Sequence, residues 1–408
     1  MKRILSLLIV TLLLCGCFAL GGCSSSKAES ITLNVYNWGE YISDGSEGTL
    51  NVNKAFEEYY EETYGVKVTV NYSTYASNED MYNKIKSGAT SYDVIFPSDY
   101  MIARMANEDM LAKLDFSNIP NFQYINESHK NMYYDPGSVY SVPYTYGVVG
   151  VIYNSTMVDE EDIGTWEIFS NKKYERKILQ FNNPRDALGT AMYALGISVN
   201  TTDHSEWDQA AALLKEQKPL VQSYVMDEIF NKMKNGSAAV SAYYAGDYLS
   251  MYEDNEYLEF YYPEEGTNIF VDAMCIPVTS PHKEVAERYI NFMLEEEIAV
   301  ANAEYTYYAS PNTLVTGNEE YVACMEDIHE NAMEILYPEH LPPVTYYENL
   351  DPETLAYVNT SWESLKLENS VHPWVYIFSG VIIASLVALI LWKIIQKNYR
   401  RKYYYQVH

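Results

Sequence analysis

The chain has 408 residues and a formal net charge of −29 at pH 7, with 56 acidic side chains against 27 lysines and arginines. Such a field repels nucleic acid and draws cations, and solubility at a crowded surface accounts for most of it. Five cysteines, three of them before residue 24, exclude a disulfide scaffold. No His/Cys cluster has metal-ligand spacing and no glycine-rich phosphate loop occurs, so neither a metal nor a cofactor is expected.

The chain opens as an export signal. Lys2 and Arg3 give a positive start, Ile4 to Leu14 an apolar run, and Leu20-Gly21-Gly22-Cys23 a small-residue cleavage site followed by serines. A cysteine directly after the cut resembles a lipobox. The expectation is a lipoprotein signal peptide over 1–22, a diacylglycerol anchor on Cys23 and a linker over 23–30.

A β-α-β unit follows. Leu33 to Trp38 reads as a strand, and Leu50 to Tyr64 as a helix stopped by Gly65. Val66, Val68, Val70 and Tyr72 then alternate as a second strand. A helix around Met81 to Lys86 and a buried strand from Asp93 to Phe96 complete this part. A second α/β section spans about Val148 to Tyr262. It contains a strand Ile178 to Phe181, a helix with Asn183 as N-cap and Pro184 at its first position, and a strand Ala238 to Tyr244. Ile269 to Val278 returns the chain to the first part, with Cys275 as core, and an amphipathic helix is expected from His282 to Glu297. About 340 outer residues exceed what one core usually serves. Strands alternating with helices predict mostly parallel sheets covered on both faces.

The far end is a second membrane signal. Val375 to Trp392 carries no charge, and as a helix it spans about 27 Å, near the thickness of a bilayer core. Lys393, Lys397, Arg400, Arg401 and Lys402 follow, whereas Leu367 to Trp374 has no Lys or Arg. The positive-inside rule predicts a transmembrane helix over 374–395, a basic cytoplasmic tail over 396–408, and everything before the helix outside the cell.

The segment Tyr36-Asn37-Trp38-Gly39-Glu40-Tyr41 sets an indole, a carboxylate and a phenol where the first strand runs into a loop. Ligands bind at such strand ends in open α/β sheets, and aromatic faces beside an acid suit an organic cation. Together with Ser73-Thr74-Tyr75-Ala76-Ser77-Asn78-Glu79-Asp80-Met81-Tyr82, Pro97-Ser98-Asp99-Tyr100, Val142-Pro143-Tyr144-Thr145-Tyr146-Gly147, Asp272-Ala273-Met274-Cys275-Ile276-Pro277, Tyr289 to Leu294 and Ser310-Pro311-Asn312, it resembles the substrate-binding proteins of bacterial polyamine (spermidine/putrescine) ABC transporters, within the extracellular solute-binding proteins. The resemblance covers nearly all of residues 31–366.

The resemblance implies an α/β, two-lobed periplasmic-binding-protein-like (type II) clamp: lobe 1 from 31–147 and 269–318, lobe 2 from 148–268 and 319–369. It implies a polyamine ligand, and as partners the permease subunits and cytoplasmic ATPase of an importer. It places the ligand site on Trp38, Glu40, Tyr41, Ser98, Tyr100, Asn183, Asp186, Tyr244, Phe270, Asp272, Tyr308 and Glu348. Three of these depart from the family pattern: Asn183 stands for an acid, and Tyr244 and Phe270 for tryptophans. Fewer carboxylates in lobe 2 would weaken the hold on a third ammonium, which leans the expectation towards putrescine over spermidine. Read without the family, Asp272 is an acid inside an apolar strand and needs a partner, whereas Asp186 in the first turn of a helix also suits the helix dipole. A receptor for another small solute and a membrane-tethered sensor remain the alternatives. An enzyme is not expected, since no nucleophile–base constellation is found.

Overall fold

The structure is a computed structural model that describes residues 30–367 and 373–404; the export segment with Cys23 lies outside the described residues. In chain order the strands are β1 (Ser30–Trp38), β2 (Lys67–Tyr75), β3 (Val94–Ile95), β4 (Ser141–Asn154), β5 (Ile178–Phe181), β6 (Val221–Val225), β7 (Val240–Tyr244), β8 (Leu258–Tyr261), β9 (Thr267–Cys275) and β10 (Val344–Thr345). The helices that matter below are α1 (Val52–Tyr64), α2 (Asn78–Lys86), α3 (Asp99–Asn107), α4 (Pro184–Ala194), α5 (His204–Gln217), α6 (Glu228–Lys234), α7 (Ala245–Tyr252), α8 (Lys283–Phe292), α9 (Glu296–Thr306), α10 (Pro352–Leu367) and α11 (Pro373–Tyr404).

Two strands join two lobes. Ser141 to Val148 of β4 pairs with β9, and Val149 to Tyr153 of the same strand pairs with β7. The sheet order is β2-β1-β3-β9-β4-β7-β5-β6. The outer pairs β1/β2, β1/β3, β5/β6 and β5/β7 are parallel, as alternating strands and helices predict. The central pairs β3/β9, β4/β9 and β4/β7 are antiparallel, so the sheet is mixed, parallel on its outer strands and antiparallel at its centre. The cause is connectivity: β4 and β9 run in opposite directions between the lobes.

Alternation on β9 builds both faces of the first lobe. Val271, Ala273 and Cys275 pack with Met81 and Tyr82 of α2 and Met101, Ile102 and Met105 of α3. Phe270 and Met274 face Phe56 of α1 and Tyr289 of α8. Asp272 stands at the alternate position between Phe270 and Met274, so a carboxylate is carried into an apolar layer. The second lobe packs Ile178, Leu179, Phe181, Val240 and Ala242 under Leu188 and Met192 of α4, Trp207 of α5 and Trp362 of α10.

Local signals set the boundaries. The Asn51 side chain accepts from Lys54 N and caps α1, and Gly65 closes it at φ 68°. Asn183 caps α4 with Pro184 at its first position. The helix expected from His282 to Glu297 is instead two, α8 and α9, because Glu295 is extended (ψ 144°) and serves as N-cap of the second. Cys275 and Cys324 are both free thiols, the first fully buried.

Within α11, Ile377–Lys397 is 21 residues with mean hydropathy 2.3, and none of it is buried. By length and composition it can cross a membrane.

Candidate functional site

Five strand ends and the middle of β9 converge on one cleft. From the first lobe come Trp38, Gly39, Glu40 and Tyr41 after β1, Ser98, Asp99 and Tyr100 after β3, and Phe270 and Asp272 on β9. The second lobe gives Asn183, Arg185 and Asp186 after β5, Met226 and Asp227 after β6, and Tyr244 and Asp247 after β7. The cleft holds about 930 Å³ of empty space, part of it open to solvent. The lobes approach closely. A Cβ on Gly39 would lie 2.9 Å from Oδ2 of Asp227 across the cleft.

Asp272 lies at the base. The Tyr41 hydroxyl donates to its Oδ2 at 2.6 Å and lies 2.6 Å from Thr145 Oγ1. A register shift in β4 between Pro143 and Thr145 sets Thr145 opposite Asp272, the way a bulge re-aims a side chain. The other carboxylate oxygen, Oδ1, is buried with no hydrogen-bond partner at ordinary distance, although the Ser98 hydroxyl lies near enough to favour the charged form. Burial pushes the Asp272 carboxyl up to about 6.

Asp186 is the second-lobe counterpart. Its Oδ2 accepts from Tyr244 Oη at 2.6 Å and Asn183 Nδ2 at 2.7 Å, while Asn183 Oδ1 accepts from the Asp186 amide at 2.8 Å. Asn183 therefore does two jobs, helix cap and carboxylate partner. Burial raises the pKa of Asp186 and of Glu79. Glu79 Oε1 accepts from Tyr100 Oη at 3.0 Å. Asn78 donates to Ser98 Oγ at 2.9 Å. Asp247 accepts from Tyr308 Oη at 2.7 Å, and burial pushes it up to about 7.

Aromatic walls separate these acids. The Trp38 indole is held by Nε1 donating to Phe96 O at 2.8 Å and lies against Tyr75, with ring centroids 4.7 Å apart. Tyr244 meets Phe270 edge-on at 5.2 Å, and Tyr308 meets Tyr41 at 5.1 Å. Gly147 permits this, since a Cβ there would stand 2.8 Å from Phe270 Cζ.

The charge balance decides what fits. Seven acids line the cleft: Glu40, Glu79, Asp99, Asp186, Asp227, Asp247 and Asp272. Arg185 is the one basic residue among them, and its guanidinium is turned to Glu348 O at 3.1 Å and Asn200 Oδ1 at 3.2 Å, stacked 4.5 Å over Tyr347. The cleft thus presents seven carboxylates against this one cation, whose Nε is buried without a hydrogen-bond partner. Among the described residues no His/Cys/Asp/Glu group could hold a metal ion.

Of the twelve residues expected from the sequence, the structure brings eleven into the lining: Trp38, Glu40, Tyr41, Ser98, Tyr100, Asn183, Asp186, Tyr244, Phe270, Asp272 and Tyr308. Glu348 is the exception. Its side chain is exposed and outside the cleft, while its neighbour Tyr347 is buried and points in, because adjacent residues of extended chain face opposite ways. Sequence reading missed Glu79, Asp99, Asp227, Asp247 and Tyr347. Asp247 carried a legible signal: it follows the end of a strand by three residues, in the first turn of the next helix. Three acids on the second lobe, Asp186, Asp227 and Asp247, also correct the premise that Asn183 leaves this lobe poor in carboxylates.

Known proteins share this fold. The family model described as bacterial extracellular solute-binding protein matches residues 54–324. The spermidine/putrescine-binding periplasmic protein of Salmonella typhimurium is 33% identical over 302 residues, 74% of this chain and 83% of that protein. The chain is a bacterial extracellular solute-binding protein. Its fold matches the spermidine/putrescine ABC transporter substrate-binding protein PotD of Streptococcus pneumoniae, with a TM-score of 0.65 at 32% identity, over 83% of this chain and 99% of that one. The TpPotD lipoprotein of Treponema pallidum matches with a TM-score of 0.66 at 26% identity, over 82% and 99%. The solute-binding protein therefore has the two-lobed periplasmic-binding-protein fold, with its cleft where the strands of both lobes end.

Proposed function

We propose that this solute-binding protein captures linear polyamines, putrescine or spermidine, outside the cell and delivers them to the permease of an ABC importer. The observation that carries the reading is the cleft's inventory of seven carboxylates against a single arginine between aromatic walls. An ammonium offers only donors, and the acids and phenols of the cleft offer acceptors. Methylenes need flat apolar surface, which Trp38, Tyr244 and Phe270 supply, with cation–π attraction of about 0.5–2 kcal/mol each. The unpartnered Oδ1 of Asp272 is the acceptor that an ammonium would complete. The names of the relatives support the same ligand class.

In this reading Trp38, Glu40, Tyr41, Ser98, Tyr100, Asn183, Asp186, Tyr244, Phe270, Asp272 and Tyr308 contact the ligand, joined by Glu79 and Asp247. Closure about β4 and β9 brings the acids of lobe 1 (31–147 and 269–318) onto those of lobe 2 (148–268 and 319–369). Cys23 carries a lipid anchor and α11 a membrane anchor, and two tethers near a permease raise the local concentration of receptor. Titration of the full chain in detergent with putrescine, spermidine and a monoamine of equal length tests the ligand. The diamine and triamine should bind at least a hundredfold more tightly than the monoamine, and equal affinities would remove the polyamine assignment.

A further inference from the structure

A second cavity adjoins the cleft. It holds about 1,130 Å³ of empty space, partly open to solvent, between Asp80 and Asn83 of α2 on one side and Leu355, Ala356, Asn359 and Trp362 of α10 on the other. Ser77, Glu79 and Asn183 line both this groove and the cleft. Where one residue touches both cavities, the wall between them is a single side chain thick.

Two of the three are fixed. Asn183 is held twice by Asp186, and Ser77 caps α2 by accepting from the Asp80 amide at 3.1 Å. Glu79 differs. Its carboxylate is held from the side chains by Tyr100 alone, and a glutamate has rotamers to spare. Swinging it aside would join the two spaces.

The groove has the chemistry to receive an amine-bearing arm. Its two cations are engaged already, Arg104 with Glu108 at 3.2 Å and Lys366 with Glu363 at 3.0 Å. Asp80 has no ion pair among the described residues and lies exposed at the groove. Half-buried Leu355 gives apolar surface for methylenes beside the buried Trp362.

We propose that this groove extends the ligand site: a linear polyamine too long for the cleft passes its far aminoalkyl arm by Glu79 into the groove, with the terminal ammonium near Asp80. The inference rests on the polyamine reading of the cleft and names the longer members of that class, tetraamines, as ligands.

Filling the groove tests it in the full chain. Ala356→Trp and Asn359→Trp add bulk on α10 without touching the cleft. The proposal expects spermine, used as the probe tetraamine, to lose tenfold or more in affinity, while putrescine stays within twofold of the parent protein. Retained putrescine binding also reports that the variant is folded. Should both tryptophan variants misfold, Asp80→Asn, an exposed change, is expected to weaken spermine selectively by threefold or more. Spermine binding as tight in these variants as in the parent, or no spermine binding by the parent while putrescine binds, overturns the groove. Failure of the parent to bind putrescine as well overturns the polyamine reading beneath it.

Discussion

The Tyr41 hydroxyl lies 2.6 Å from Oδ2 of Asp272, a residue 231 positions further along the chain, and the opposite oxygen of that carboxylate is buried without a partner. One half of the carboxylate is therefore oriented by the protein, and the other half is free to meet a cation. Asp272→Asn keeps the shape and an acceptor for Tyr41 but removes the charge. It should cost roughly 3–5 kcal/mol of polyamine binding, the scale of a buried charge left unpaired, or about two to three and a half decades in affinity. Calorimetric titration measures this, and a loss under threefold would take Asp272 out of the site.

Binding should depend on pH through the same acids. Burial holds Asp272 at about 6 and Asp247 at about 7 in the empty cleft. An ammonium favours their charged forms, so both must release any proton on binding. Affinity is expected to fall as pH drops from 8 to 5, by about tenfold per pH unit below pH 6 for Asp272 alone. Titrations in buffers of different ionisation enthalpy should register proton release near pH 6.5. A pH-independent affinity would contradict the assignment of these two carboxylates.

The empty protein should respond in the opposite sense. The folded-state pKa values of Asp272 and Asp247 exceed the unfolded value of about 3.9, so between pH 4 and 7 the native state binds more protons than the unfolded one. Unfolding free energy then falls as pH rises. The melting temperature of the ligand-free protein should climb as pH is lowered from 7.5 to 5, and saturating putrescine should flatten or reverse that slope. Depressed carboxyls such as Asp162, Asp203 and Glu108 act the other way, with stability lost only as pH falls below about 4. A ligand-free melting temperature that falls on acidification from 7.5 to 5 would speak against the raised pair.

Asn183 offers a test of specificity. Its amide donates to Asp186 and its oxygen caps α4. Asn183→Asp preserves the cap but sets a second charge beside Asp186, which only a further ammonium relieves. Spermidine binding should improve more than putrescine binding, by about threefold to tenfold, on the scale of a single exposed-to-buried charge contact. An equal shift for both ligands would show that this position does not set chain-length preference.

The two proposed anchors make a topological prediction. Replacing Cys23 alone should leave the protein on the membrane through α11, and cleaving the chain before Trp374 should leave the binding region attached through Cys23. Fractionation of cells expressing each form checks this. Release of the Cys23 variant with its C-terminus intact would contradict the spanning helix.

Much of this was legible in the sequence, for reasons that are local. The N-cap Asn183 with Pro184, the helix stop at Gly65 and the strand end at Trp38 are chemical signals within a few residues, and the structure places each as read. Non-local facts were not legible. The antiparallel core arises because β4 and β9 both cross between lobes, which neither strand's own residues announce. The break at Glu295 lies within an amphipathic pattern that continues through it. Glu348 was displaced from the cleft by one residue of alternation, with Tyr347 taking the inward position. Glu79 and Asp227 read as ordinary first-turn or loop acids until the opposite lobe is placed against them.

The polyamine assignment requires that a cleft lined by seven acids hold a cation at both ends. The most direct measurement is calorimetric titration of the full chain, in detergent at pH 8, with putrescine and with butylamine, which has the same carbon chain and one ammonium. Putrescine should bind at least a hundredfold more tightly, and Asp272→Asn should erase most of that difference. Equal affinity for the two amines, or a preference that Asp272→Asn leaves untouched, would contradict the central claim.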